Sequence, residues 1–341
     1  MADQKTTQLT ANTSPAVTDL LTITDDPSGT ASTQKIELSN LLKFINGLTE
    51  DTAPDANADY LATYDASAGA VKKVSLSAFG DKYPMEGRLT LETGVPVSTT
   101  AQSAKTTLYL TQYKGNQIAV YDGSAWFTLT FASDLSITLS GLTASLPYDV
   151  FVYSNSGTLT LELTAWTDTT TRATAITMQD GVYVKSGATT RRYIGTICIT
   201  STAGQCEDSY TRRLVYNYYN QAPRYLGLSY ISSHNYTTAA WRYWNNSQAN
   251  SQVEFVLGIA ANFVGIYRAN ITSLAGGGVS FALDSTSPNG TKGEQFNNAG
   301  DAASSDMFVA AVGYHYWTGV EYGNAGGMTA ERISINTTIE M

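Results

Sequence analysis

The first eighty residues state one pattern twice. Pro15 to Leu42 reads PAVTDLLTITDDPSGTASTQKIELSNLL, and Pro54 to Phe79 reads PDANADYLATYDASAGAVKKVSLSAF. The copies align at Asp19 and Asp59, Leu21 and Leu61, Asp25 and Asp65, Gly29 and Gly69, Lys35 and Lys73, Ile36 and Val74, Leu38 and Leu76, and Ser39 and Ser77. Each predicts a short strand, a polar turn centred on glycine, a second strand and a serine placed to cap a short helix. A unit of this size cannot bury a core of its own, so it must dock on another surface. The apolar strand positions Leu20, Leu21, Ile23, Ile36, Leu38, Tyr60, Leu61, Val74 and Leu76 are the expected docking contacts. Residues 1–48 and 49–82 are thus expected to be two anchor repeats at one end of an assembly component.

Composition points the remaining chain toward strands. Of 341 residues, 43% are apolar, which suffices for cores, but only 14% are charged. The ordinary charged share is about 25%. Helix surfaces need the residues that are scarce here, whereas Thr and aromatic residues favour strands. The net charge of −9 opposes binding to a phosphate backbone, so no nucleic-acid partner is expected. No apolar run is long enough for a membrane span, and MADQKTTQLT lacks a secretory apolar core. The expectation is assembly in a cytoplasm, with Cys198 and Cys206 as reduced thiols.

From Arg88 onward, strand-like runs alternate with turn signals about every ten residues. Tyr148–Tyr153 and Leu159–Leu163 flank Asn155-Ser156-Gly157, and Ile176–Met178 and Val182–Lys185 flank Asp180-Gly181. Both predict hairpins. Residues 83–206 therefore read as a central β-sandwich. Residues 207–225 (EDSYTRRLVYNYYNQAPR follows from Glu207) read as a neck, either a short helix or an extended connector. Residues 226–341 read as a C-terminal β-sandwich head, with strands at Glu254–Ile259, Phe263–Tyr267, Val279–Leu283, Phe308–Tyr316 and Arg332–Ile339. The expected fold class is all-β: small N-terminal β-hairpin anchor repeats followed by two antiparallel, jelly-roll-like β-sandwiches.

Several longer strings carry a family resemblance. RLTLETGVPVSTT from Arg88, LYLTQYKGNQIAVYDGSAW from Leu108, YDVFVYSNSGTLTLELTAWTDTTTRATAI from Tyr148, DGVYVKSGATTRRYIGTICITSTAG from Asp180 and RRLVYNYYNQAPR from Arg212 resemble a module of tailed-bacteriophage structural proteins. YTTAAWRYWNNSQANSQVEFVLG from Tyr236 and GYHYWTGVEYG from Gly313 resemble, more loosely, the domain that often follows it. The resemblance implies a virion appendage such as a tail or head fibre. Such proteins are usually homotrimers whose distal β domains meet the host surface. It brings no catalytic residues and no cofactor. The virion partner implied is a capsid, portal or tail protein, bound through the N-terminal repeats.

Chemistry-bearing motifs are sparse. Asp55-Ala56-Asn57-Ala58-Asp59 begins like a calcium loop, but Tyr60 stands where the turn needs Gly and Ala66 where a bidentate Glu is needed. His234 and His315 sit among aromatics and read as hydrogen-bonded structural residues. No nucleophile elbow or zinc-protease motif occurs. Glu162, Glu254, Asp284 and Glu321 are available carboxylates with no spacing that pairs them for glycoside hydrolysis. No enzyme activity and no metal site are expected.

The strongest functional hint is aromatic. Tyr236, Trp241, Arg242, Tyr243, Trp244, Tyr316 and Trp317 are candidate glycan contacts, because flat rings stack on sugar C–H faces while polar tips tolerate water. Strand alternation sets Trp241 and Tyr243 on one face and Arg242 and Trp244 on the other, so one pair is expected in the core. The functional expectation is a non-enzymatic phage fibre that adheres to host glycans. The alternatives are a purely structural decoration or connector, and a glycan-degrading tailspike.

Overall fold

A computed structural model describes residues 20–25, 32–37, 60–65, 67, 70–75, 83–274, 277–288 and 300–341. The chain divides into two compact units, Met1–Gly80 and Asp81–Met341. In the first, β1 (Leu20–Asp25) pairs with β2 (Ser32–Glu37), and β3 (Tyr60–Asp65) with β4 (Ala70–Ser75). Both pairs are antiparallel, with Leu21 opposite Ile36 and Leu61 opposite Val74. The sequence duplication is therefore a duplication of register. Leu38, Leu76, the capping serines and the Asp55–Asp59 motif lie outside the described residues.

The second unit begins with β5 (Gly87–Thr90), β6 (Gln102–Lys105), β7 (Thr107–Gln112), β8 (Gln117–Tyr121), β9 (Trp126–Thr130) and β10 (Leu135–Thr138). It continues with β11 (Pro147–Asn155), β12 (Thr158–Ala165), β13 (Ile176–Gln179), β14 (Val182–Lys185) and β15 (Ala188–Cys198). Both sequence-predicted hairpins form, with Val150 opposite Leu163 and Thr177 opposite Val184. One sheet runs β12-β11-β15-β14-β13 and a second runs β10-β7-β5. Val150, Val152, Leu161, Ile194 and Ile197 from the first join Leu89, Leu108 and Leu110 from the second in a buried core.

The chain then forms β16 (Cys206–Asp208), β17 (Arg212–Arg213), β18 (Val215–Asn217), β19 (Pro223–Tyr236) and β20 (Trp241–Tyr243). After a 3-10 turn at Trp244–Asn246 come β21 (Gln252–Leu257), β22 (Ala261–Leu274), β23 (Gly278–Leu283), β24 (Gly300–Ala310), β25 (Gly313–Tyr322) and β26 (Met328–Glu340). No α-helix occurs among the described residues. Phe308–Tyr316 is not one strand: the ladder breaks at Ala311 and Val312, and Gly313 takes φ 141°, a conformation suited to glycine.

The 207–225 segment differs from the expected neck. Its residues are paired into the β body as β16, β17 and β18. Asp208 lies opposite Gln102 of β6, Arg213 runs parallel beside Phe255 of β21, and Tyr216 lies opposite Thr196 of β15. A sheet ordered β20-β25-β21-β17-β16-β6, with β23 on the other side of β25, thus crosses from the first half of this unit to the last. The β17–β21 contact is a parallel pair inside otherwise antiparallel sheets. Asp208 anchors the crossing by accepting from Arg213 Nη1 at 2.7 Å and Arg224 Nη2 at 3.0 Å. Burial, with Arg224 nearby, holds the Arg88 guanidinium down to about 10.

A four-stranded sheet, β19-β26-β22-β24, covers one face of this crossing sheet. Gly319 of β25 permits that approach, because a Cβ there would stand 3.0 Å from Ile333 Cδ1 and 3.1 Å from a Tyr267 ring carbon.

Candidate functional site

Alternation along β25 sorts the aromatic candidates. His315, Trp317, Gly319 and Glu321 share one face with their register partners Phe255, Val253 and Arg242, and that face meets the covering sheet. Trp317 is fully buried and meets Phe281 edge-on at 5.2 Å. Trp244 is also fully buried, edge-on to His234 at 5.2 Å. Tyr236 is buried, donates to Ala240 O at 2.8 Å and carries the Arg242 guanidinium 3.7 Å above its ring. Four of the seven candidates therefore serve the interior or its edge: Tyr236, Arg242, Trp244 and Trp317. Trp244 leaves the strand pattern because Asn245 and Asn246 adopt left-handed φ values of 49° and 53°, which Asn tolerates.

Those inward groups surround one carboxylate. Glu321 is completely buried and accepts from His234 Nε2 at 2.6 Å, Arg242 Nε at 2.7 Å and the Asn245 amide at 3.1 Å. His234 Nδ1 faces Ser232 O at 2.9 Å. With an acceptor on each ring nitrogen, the doubly protonated imidazole satisfies both contacts. Burial is the largest influence and works against that charge, but the hydrogen bonds donated to Glu321 and to Ser232 O, with the Glu321 charge, together outweigh it and raise the His234 pKa.

The opposite face of β25 carries the other three candidates. Trp241, Tyr243 and Tyr316 are half-buried there, joined by Tyr314 and Tyr322. Trp241 and Tyr322 rings lie 5.4 Å apart, and the Tyr243 and Tyr316 hydroxyls 3.3 Å apart. Glu254 is the register partner of Tyr316, and Arg212 that of Glu254, so a polar row extends the aromatic one. The row ends in two clefts that share the Arg212–Glu254 ion pair (3.2 Å) as a wall. One, of about 170 Å³, is lined by Ser145, Thr169, Cys198, Thr200 and Tyr314. The other, of about 240 Å³, is lined by Glu207, Ser229, Tyr230, Asn250 and Gln252.

A tight turn positions Arg212. Ser209 N donates to Arg212 O at 2.7 Å, Ser209 Oγ accepts from Arg212 N at 3.2 Å, and the same hydroxyl donates to Glu207 Oε1 at 2.6 Å. Arg212 Nη1 then meets Glu207 Oε2 at 3.4 Å. Burial alone would lower the Arg212 pKa, but Glu254 and Glu207 together raise it. Gln252 Nε2 donates to Glu254 Oε1 at 2.9 Å. Burial, and after it the adjacent Glu254 carboxylate, push the Tyr314 phenol well above its ordinary range.

Of these groups, sequence reasoning singled out Glu254 as one carboxylate among four, Tyr314 as part of the aromatic concentration, and Cys198 as a reduced thiol. Glu207, Arg212, Tyr230, Asn250 and Gln252 were missed as site residues. Their one sequence signal is the dense polar text of Glu207 to Arg213, which reads as a connector when considered alone. The four named carboxylates each take different partners: Glu162 with Lys185 and Arg191, Glu254 with Arg212, Asp284 with His315, and Glu321 with His234 and Arg242. Among the described residues, no three His, Cys, Asp or Glu side chains are grouped to hold a metal ion. Cys198 and Cys206 are both buried and free, with Cys206 Sγ donating to Cys198 O at 3.3 Å.

No family model and no curated protein sequence matches the chain. Among solved structures it aligns with that of infectious bursal disease virus Gx strain at 12% identity and a TM-score of 0.21, over 73% of this chain and 74% of that one. It also aligns with a Cry1Da tryptic core variant of Bacillus thuringiensis (10% identity, TM-score 0.20, 83% of this chain and 57% of the toxin). A third match is the mosquito-larvicidal Cry4Aa toxin of Bacillus thuringiensis (8% identity, TM-score 0.18, 72% of this chain and 50% of the toxin). At these TM-scores the likenesses carry no argument about fold or function.

Proposed function

We propose that this chain is a non-enzymatic structural appendage of a tailed-phage particle, held to the virion by its N-terminal hairpins and displaying its last β half to host-surface glycans. The observation that carries the reading is the duplicated hairpin register, Leu21 opposite Ile36 and Leu61 opposite Val74. Two small hairpins of equal register offer two equal sets of docking positions, as expected of a tether. The half-buried rings Trp241, Tyr243, Tyr314, Tyr316 and Tyr322 support a glycan-facing surface. In the proposed assembly three copies meet as a homotrimer of jelly-roll-like sandwiches, and many weak glycan contacts sum to firm adhesion.

The test compares the full chain with one lacking residues 1–80. The full chain is expected to attach both to particles that lack it and to host cells, and the shortened chain to host cells alone. If the shortened chain joins particles as well as the full one does, the tether reading fails. If the full chain joins particles but ignores host cells, the purely structural alternative takes its place.

A further inference from the structure

The two clefts at the end of the aromatic face share one ion pair and differ in what they offer. Glu254 and Arg212 border both. Glu207, Gln252 and Tyr230 belong to the larger cleft, and Tyr314 to the smaller. Together their volumes reach the range of small-ligand sites, roughly 300–1,000 Å³. Carboxylates accept hydrogen bonds, a guanidinium donates them, and an amide does both. Such a mixture suits a ligand whose groups both donate and accept, which describes vicinal hydroxyls. Gln252 Oε1 is buried behind this wall with no hydrogen-bond partner among the described residues, while its Nε2 is held by Glu254.

Charge narrows the class. Two carboxylates face one guanidinium, so the clefts carry an excess negative charge within a chain of net charge −9. An anionic sugar would meet a guanidinium already neutralised twice over. An apolar ligand would strip water from three charged groups and return no hydrogen bonds. We propose that the paired clefts hold two adjoining neutral sugar units of a host-surface glycan. This rests on the glycan-binding reading above and assigns its specificity to Arg212, Glu254, Glu207 and Gln252 rather than to the aromatic row alone. Glu254 reaches both units, Arg212 separates them, and Tyr230 and Tyr314 give each a ring wall.

The experiment is ligand-observed NMR on the full chain with methyl glucoside, methyl galactoside, N-acetylglucosamine and glucuronate, extended to a panel of neutral and acidic oligosaccharides. A neutral probe is expected to bind and glucuronate is not. Glu254→Gln and Arg212→Gln should weaken the neutral probe at least tenfold. Asn250 is exposed and, among the described residues, its side chain bonds to Ser247 Oγ at 3.1 Å, so Asn250→Ala keeps the fold and should weaken binding severalfold. Preference for acidic probes, or neutral binding indifferent to all three variants, overturns the assignment. If host-cell attachment persists in those variants but falls with Trp241→Ala, the clefts are dismissed and the aromatic face stands. If the chain attaches to neither cells nor sugars, both readings fail together.

Discussion

His234 of β19 and Glu321 of β25 belong to facing sheets and are joined by a 2.6 Å hydrogen bond. Arg242 completes the contact from β20 at 2.7 Å. The two sheets are thereby fastened at one edge by a charged contact beside the buried Trp244 ring. Removing one partner of a buried pair strands the other, at about 3–5 kcal/mol. Glu321→Ala should cost that much in a urea or thermal unfolding measurement.

The same contact gives a pH dependence. The folded pKa of His234 is raised above its ordinary value of 6.5. A raised pKa means that the folded state holds the proton more tightly, so this stabilisation is complete below about 6.5 and is lost as pH rises through the folded value. The difference in melting temperature between wild type and His234→Gln should be largest in mild acid and shrink toward alkaline pH. A difference that is flat or grows with pH would refute the coupling.

Trp317 and Tyr316 are neighbours on opposite faces of β25. Trp317→Ala empties a fully buried site and should cost about 3–5 kcal/mol. Tyr316→Ala should cost far less, and its effect should appear in host-cell attachment. Equilibrium unfolding together with a cell-binding assay separates the two.

Gly258 sits where the two halves of the larger unit touch. A Cβ there would strike the Tyr193 hydroxyl and stand 2.6 Å from Thr196 Oγ1 and 2.8 Å from Tyr216 Cδ1. Its carbonyl accepts from Arg172 Nη2 at 2.6 Å, and Arg172 in turn grips Asp149 at 2.6 Å. Gly258→Ala should destabilise the unit by about 1–3 kcal/mol through overpacking, read as a lowered urea midpoint.

Burial, with Glu254 nearby, pushes the Cys198 thiol up to about 12, and burial raises the Cys206 thiol well above its ordinary value too. Neither offers thiolate at neutral pH. Ellman's reagent should therefore label no thiol in the native chain and two after denaturation.

Much of this was legible in the chain because the strands are local hairpins. Asn155-Ser156-Gly157 and Asp180-Gly181 mark their turns, and the apolar alternation around them fixes the register. The separation of Trp241 and Tyr243 from Arg242 follows from period two, whereas Trp244 lies beyond the strand in the 3-10 turn, where alternation does not apply. β19 was missed despite its fourteen residues, because Gly227, Ser229, Ser232 and Ser233 dilute its pattern and its ladder partner among the described residues, β26, lies at the far end of the chain. β16, β17 and β18 span two or three residues each, too few for any period to appear. The Arg212–Glu254 wall depends on a parallel pairing between segments some forty residues apart, which leaves no local trace.

The sheet that runs from β6 through β16 and β17 to β21 and β25 has a mechanical consequence. Force applied between the first and last parts of the larger unit would pass through backbone ladders, so pulling them apart requires rupture of interstrand hydrogen bonds.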